Sequence, residues 1–175
     1  MNSCDFASKT NEYITSYIAA ADTKAGALLT FVTILGTAVG FAAPTVLRSA
    51  HSAACIVYVI EWTIAAVVLV SVGGTLLHCL KALSPSTPSA GASLHSFPDL
   101  ATMSPDEVVA RVEMLTPADA AKNLSLHNVT LARIAQDKFR QLGLATRWLG
   151  VALAATLCMT YAFALIAVIA GEAGK

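Results

Sequence analysis

From Ala25 to Leu47 the chain carries no charged side chain. On a helix rising about 1.5 Å per residue, a stretch of that length crosses the roughly 30 Å hydrocarbon core of a bilayer. Two further blocks have the same character. Ala54–Leu80 is free of charge after Glu61, and Trp148–Ala170 is free of charge throughout. Lipid offers no partner to backbone amides, so each block must satisfy its own hydrogen bonds as a helix. The expected fold is therefore an all-α membrane protein with three transmembrane helices. Its N-terminal helix and the helix before the third span are expected to extend into the cytoplasm.

Composition agrees with that reading. The 175 residues are 56% hydrophobic and only 13% charged, about half the charged share of a soluble domain. The formal net charge is +0, which gives no basis for nucleic-acid binding. The four cysteines, Cys4, Cys55, Cys79 and Cys158, have no paired spacing, and the four histidines are scattered. Neither a disulfide framework nor a metal site is expected, and no cofactor. Gly-x-Ser-x-Gly, P-loop and His-Glu-x-x-His patterns are absent, so no enzymatic activity is expected. A cleaved signal peptide is not expected either, because the first 24 residues are polar and carry Asp5 and Glu12.

The segments follow in order. Residues 1–24 form an N-terminal helix, 25–47 the first span, 48–53 a short outer loop and 54–80 the second span. Residues 81–147 form a cytoplasmic segment, 148–170 the third span and 171–175 a tail. Lys9 and Lys24, with Lys81, Arg133, Lys138, Arg140 and Arg147, put the N-terminus and the long segment on one side. The positive-inside rule makes that side the cytoplasm and leaves the C-terminus outside. Within the long segment, Ser84–Pro98 reads as a flexible loop. Ser104-Pro105-Asp106-Glu107 and Thr116-Pro117-Ala118-Asp119 each have the composition of a helix start. From Ala118 to Ala170 one helix is expected to run into the third span.

Two charges stand at the lip of the first span. Asp22 and Lys24 lie roughly 200° apart on a helix at about 100° per residue, so they cannot pair with each other. The N-terminal helix has a stripe at Asn11, Ile14, Ile18, Ala21/Asp22 and Ala25. The helix before the third span has a seam at Leu124, Asn128, Leu131, Ala135, Lys138, Leu142, Ala145 and Leu149. Its 4-3 period is that of a coiled coil, and polar members such as Asn128 and Lys138 fix register or partner choice at a cost in stability. The alternative is that the seam faces water there. An Asp22–Lys138 pair is one expectation. Taken from the block edges, Asp22 sits about 5 Å and Lys138 about 15 Å before the membrane. The levels coincide if the spans begin at Leu28 and Leu144. Within the membrane, Gly36-x-x-x-Gly40 has the spacing that lets helices approach closely, as do Gly73-Gly74 and Gly150-x-x-x-Ala154. Glu61, beside Trp62, is expected at the outer interface.

The run Ala21-Asp22-Thr23-Lys24-Ala25-Gly26-Ala27-Leu28-Leu29, with Asn128, Leu131, Ile134, Lys138, Leu142 and Ala145 before the last span, resembles the Pycsar transmembrane effector family. Ser96-Phe97-Pro98-Asp99-Leu100-Ala101 is similar to a short aromatic motif that precedes the family's cytoplasmic helix. The resemblance implies an inner-membrane effector of bacterial anti-phage defence, activated by cyclic CMP or cyclic UMP from a partner cyclase and impairing membrane integrity. It makes Asp22, Lys24, Asn128 and Lys138 the positions of interest for assembly or ligand contact, with Lys24, Lys138 and Arg140 able to meet a phosphate. No nucleotide-binding β-roll is present in the pattern. A homo-oligomer is expected, with the lipid bilayer as its environment and no nucleic-acid partner. The alternative is a structural or accessory membrane protein that oligomerises, such as a plasmid-transfer or assembly component, with no nucleotide sensing.

Overall fold

The computed structural model describes residues 3–50, 55–84 and 97–173, with side chains for 3–40, 59–84, 99–162 and 164. Those residues form five helices and no strand: α1 Ser3–Ala50, α2 Cys55–Leu83, α3 Phe97–Leu100, α4 Pro105–Glu113 and α5 Pro117–Ala173. Three of them, α1, α2 and α5, are long and apolar enough to cross a membrane. The all-α, three-span architecture expected from the apolar blocks is the one found.

Boundaries moved only slightly. The first helix starts at Ser3 and continues through Pro44 to Ala50, three residues past the expected end of the span. What remains of the outer loop lies outside the described residues, as does most of the loop expected at Ser84–Pro98. Phe97 and Pro98 are not loop but open the single turn α3. Asp99 closes that turn: its carbonyl accepts from the Thr102 amide at 3.2 Å and the Thr102 hydroxyl at 2.8 Å.

Both expected helix starts are real. Ser104 has an extended backbone, and its hydroxyl accepts from the Glu107 amide at 3.2 Å, capping α4 with Pro105 as its first residue. Thr116 does the same for α5: its hydroxyl accepts from the Asp119 amide at 3.2 Å and donates to the Asp119 carboxylate at 2.6 Å. Such caps satisfy amides that the first helical turn leaves without a partner.

The chain divides into two compact units. One is Met1–Thr23 with Ala82–Arg140, called here the polar unit; the other is Lys24–Lys81 with Gln141–Lys175, the apolar unit. Helices α1 and α5 contribute to both. In the polar unit α1 turns Ala7, Asn11, Ile14, Ile18 and Ala21 inward, and α5 turns Ala121, Leu124, Asn128, Leu131, Ala135 and Lys138 inward. In the apolar unit the inward residues are Ala25, Leu28, Val32, Leu35 and Val39 of α1 and Leu142, Ala145, Leu149, Ala152 and Met159 of α5. The 4-3 spacing is the period of left-handed supercoiled packing.

The apolar unit is built for lipid. Many of its buried residues are small, among them Ala25, Ser71, Thr75, Cys79, Ala145 and Ala152, beside the larger Val32, Val68, Leu142, Leu149 and Met159. Many of its large side chains, such as Ile34, Leu69, Val70 and Leu157, point outward. In water that distribution would be unfavourable; in a bilayer, close approach of small residues drives association while large ones meet the acyl chains. Thr30, Thr33, Thr37, Thr75, Thr156 and Thr160 each donate to the carbonyl four residues earlier. Their hydroxyls are thus satisfied within their own helices.

Candidate functional site

The polar unit is held by side-chain contacts between α1 and α5, which run parallel. Asn128, 6% exposed, donates from Nδ2 to the Ala7 carbonyl at 2.8 Å and accepts at Oδ1 from Asn11 Nδ2 at 3.0 Å. Further along, Lys138 Nζ donates to Asp22 Oδ1 in an ion pair. The register differs by one residue between the two contacts: 128 is 117 beyond 11, and 138 is 116 beyond 22.

A buried amide with both ends engaged cannot slide along its partner without losing two hydrogen bonds. Asn128 therefore pins the pairing of α1 with α5 in the manner of a polar seam residue. The solvated-seam alternative does not hold for either position, since both side chains reach across to α1. The Asp22–Lys138 pair also answers the question of levels: the helix register places the two residues opposite one another, whereas block edges taken literally separate them. Lys24 stands on the exposed side of α1, outside this pair, as its angular offset from Asp22 requires.

Of the cations suited to a phosphate, Lys138 is engaged by Asp22 with its side chain 11% exposed. Lys24 and Arg140 are exposed, and Arg140 lies 3.9 Å from the Asp137 carboxylate. The same unit holds an aromatic group that sequence reasoning missed. Tyr13 donates its hydroxyl to that of Tyr17 at 3.0 Å, and the Tyr17 ring meets Phe139 edge-on at 6.1 Å. The hydrogen bond to Tyr17 holds the Tyr13 phenol above its ordinary pKa. The available signal was two tyrosines at i and i+4 flanking the apolar stripe.

The glycines of the apolar unit differ in what they approach. Gly36 and Gly40 are not where helices crowd: a Cβ at Gly36 would meet Val72 at an ordinary 3.8 Å, and one at Gly40 would meet nothing within 4 Å. The tight approach is at Gly74, where a Cβ would lie 2.8 Å from the Trp148 indole. Gly40 also sits on the exposed side of α1, so among the described residues its spacing from Gly36 serves no close contact.

Glu61 is buried within this unit. It is 6% exposed on the inward stripe of α2 with Val68, Ser71, Thr75 and Cys79, while Trp62 faces outward. Its Oε2 has no hydrogen-bond partner among the described residues. The helical period, which places residues 61, 68 and 75 on one face, decides this and not the polarity of the side chain. Near the other end of α2, His78 Nδ1 and Gln141 Oε1 are 2.7 Å apart. Among the described residues no group of His, Cys, Asp or Glu could hold a metal.

An all-α protein with three apolar spans and a polar unit clasped by buried side chains is the architecture of a multi-pass membrane protein. A family model described as the Pycsar effector protein domain matches residues 6–169. The chain belongs to that family, and is thereby a membrane effector of cyclic-nucleotide-triggered defence that takes its signal from a partner cyclase. No curated protein and no solved structure matches it.

Proposed function

We propose that the protein resides in the bacterial inner membrane as a homo-oligomer and impairs membrane integrity when cyclic CMP or cyclic UMP reaches its polar unit. The N-terminus and residues 81–147 face the cytoplasm in this reading, where a cyclase product is available, and the C-terminus faces outward. The protein performs no catalytic step: it senses and responds.

The supporting observation is the Asp22–Lys138 pair, set between the two helices that continue into the first and third spans. A cyclic nucleotide carries one anionic phosphodiester, which competes with the Asp22 carboxylate for the Lys138 ammonium. A ligand shifts an equilibrium only by its difference in affinity for the two states. Here that difference is a phosphate contact available when the pair is open and denied when it is closed. Arg140 adds positive charge in the same unit, and the Tyr13–Tyr17 pair offers aromatic faces for a pyrimidine.

The test is membrane potential in cells expressing the protein, with and without each nucleotide. Depolarisation on addition of cyclic CMP or cyclic UMP is expected, with Lys138→Met losing the nucleotide dependence. No depolarisation with either nucleotide, at confirmed expression and membrane insertion, refutes the reading.

A further inference from the structure

Helix α4 packs weakly. None of its residues is buried; Val108, Arg111 and Leu115 are half-covered, while Val109, Val112 and the adjoining Met114 are 56%, 55% and 75% exposed. On α5, in the same compact unit, Lys122, Leu126, Val129 and Arg133 recur at a 4-3-4 spacing and form one narrow exposed stripe. Leu126 and Val129 are 59% and 50% exposed. The apolar pairs on the two helices are both three residues apart, a rise of about 4.5 Å.

The charges next to the two apolar pairs are opposite in sign. Glu107 of α4 pairs with Arg111 at 2.8 Å, which leaves Asp106 and Glu113 in no ion pair among the described residues. Lys122 and Arg133 likewise make none, and Asp119 and Asp137 lie one turn beyond them on the same exposed side. The acids beside Val109 and Val112 therefore fit the bases beside Leu126 and Val129. An anionic lipid surface is a poor occupant for α4, since its two acids would face the headgroups.

We infer that α4 of one subunit docks on the Lys122–Leu126–Val129–Arg133 stripe of a second copy of this chain. The contact joins two different surfaces and is heterologous. Copies inserted in one membrane share the membrane normal, so repetition of such a contact about that axis closes a ring or extends as an array. The apolar pairs form the buried centre, and Asp106 and Glu113 meet Lys122 and Arg133 at the rim. The proposal deepens the self-assembly part of the proposed function and is independent of the nucleotide.

Cysteine cross-linking in native membranes tests it. A chain carrying both Val112→Cys and Val129→Cys, oxidised in the membrane, is expected to give a ladder extending beyond the dimer. Either substitution alone is expected to give no more than the wild-type chain, whose Cys4, Cys55, Cys79 and Cys158 set the baseline. Adding Lys122→Glu and Arg133→Glu should abolish the ladder, and adding Asp106→Lys and Glu113→Lys to that chain should restore it. That restoration separates a lost contact from a lost fold. Single variants that cross-link as well as the pair, or a ladder indifferent to charge reversal, overturn the contact. A wild-type chain that sediments as a monomer in nanodiscs overturns self-assembly altogether, whereas an oligomer that gives no ladder overturns this contact alone.

Discussion

Lys138 and Asp22 share an ion pair with unequal access to water: the lysine side chain is 11% exposed and the aspartate side chain 41%. The pair is thus neither a surface salt bridge, worth little, nor a fully buried one, in which both charges depend on each other. Only the lysine depends heavily on its partner.

That asymmetry has a measurable consequence. Asp22→Ala strands a nearly buried ammonium and is expected to cost about 2–3 kcal/mol, whereas Lys138→Met leaves a carboxylate that water can reach and should cost under about 1 kcal/mol. Denaturant unfolding in detergent, followed through a double-mutant cycle, reads both values. Simple additivity of the two substitutions would show that the residues do not interact.

Asn128 is expected to matter more for register than for stability. Asn128→Ala leaves the Asn11 amide without its acceptor and should cost about 2 kcal/mol, while Asn128→Leu refills the space and should cost less. The leucine variant is nevertheless expected to loosen the pairing of α1 with α5. Spin labels at the exposed positions Glu12 and Val129 should give a broader distance distribution in it than in the wild type. An unchanged distribution means that the apolar seam sets register by itself.

Glycine substitutions should separate along the geometry and not along the motif. Gly74→Ala forces the Trp148 indole to move, at a cost of about 1–3 kcal/mol. Gly36→Ala and Gly40→Ala meet no clash among the described residues and should be neutral or mildly stabilising, as alanine favours helix over glycine by about 1 kcal/mol. Thermal midpoints of the three variants in one detergent give the comparison, and equal losses at all three positions contradict it.

Glu61→Met removes a buried carboxyl oxygen that no described residue satisfies. An unmet buried polar group costs about 1–3 kcal/mol, so this variant is expected to be more stable than the wild type by a comparable amount. A drop in midpoint instead shows that the Glu61 carboxyl has a stabilising partner.

The three spans were legible because lipid imposes one rule on backbone and side chains alike, and the uncharged blocks obey it over their whole length. The helix starts at Ser104 and Thr116 were legible because capping is local, confined to a residue and its next three neighbours. The seam from Leu124 to Leu149 was legible from its period. The close approach was legible only in part: Gly36-x-x-x-Gly40 and Gly73-Gly74 both permit one, and among the described residues the partner came to Gly74. The burial of Glu61 was not legible from its polarity, because its place on the inward stripe of α2 decides it.

The sequence by itself determined that the spans are helical and, for the polar stretches of α1 and α5, which face turns inward, since these depend on the order of residues along one element. Tertiary structure decided which polar side chains meet. Asp22 and Lys138 lie 116 residues apart, and whether they face one another depends on the relative axial shift of two helices. An offset of about 10 Å along a helix axis, which block edges leave open, separates a paired lysine from an unpaired one. Asn128, bonded to Asn11 and to the Ala7 carbonyl, supplies a second contact within one residue of that register, and no property of either helix alone specifies it.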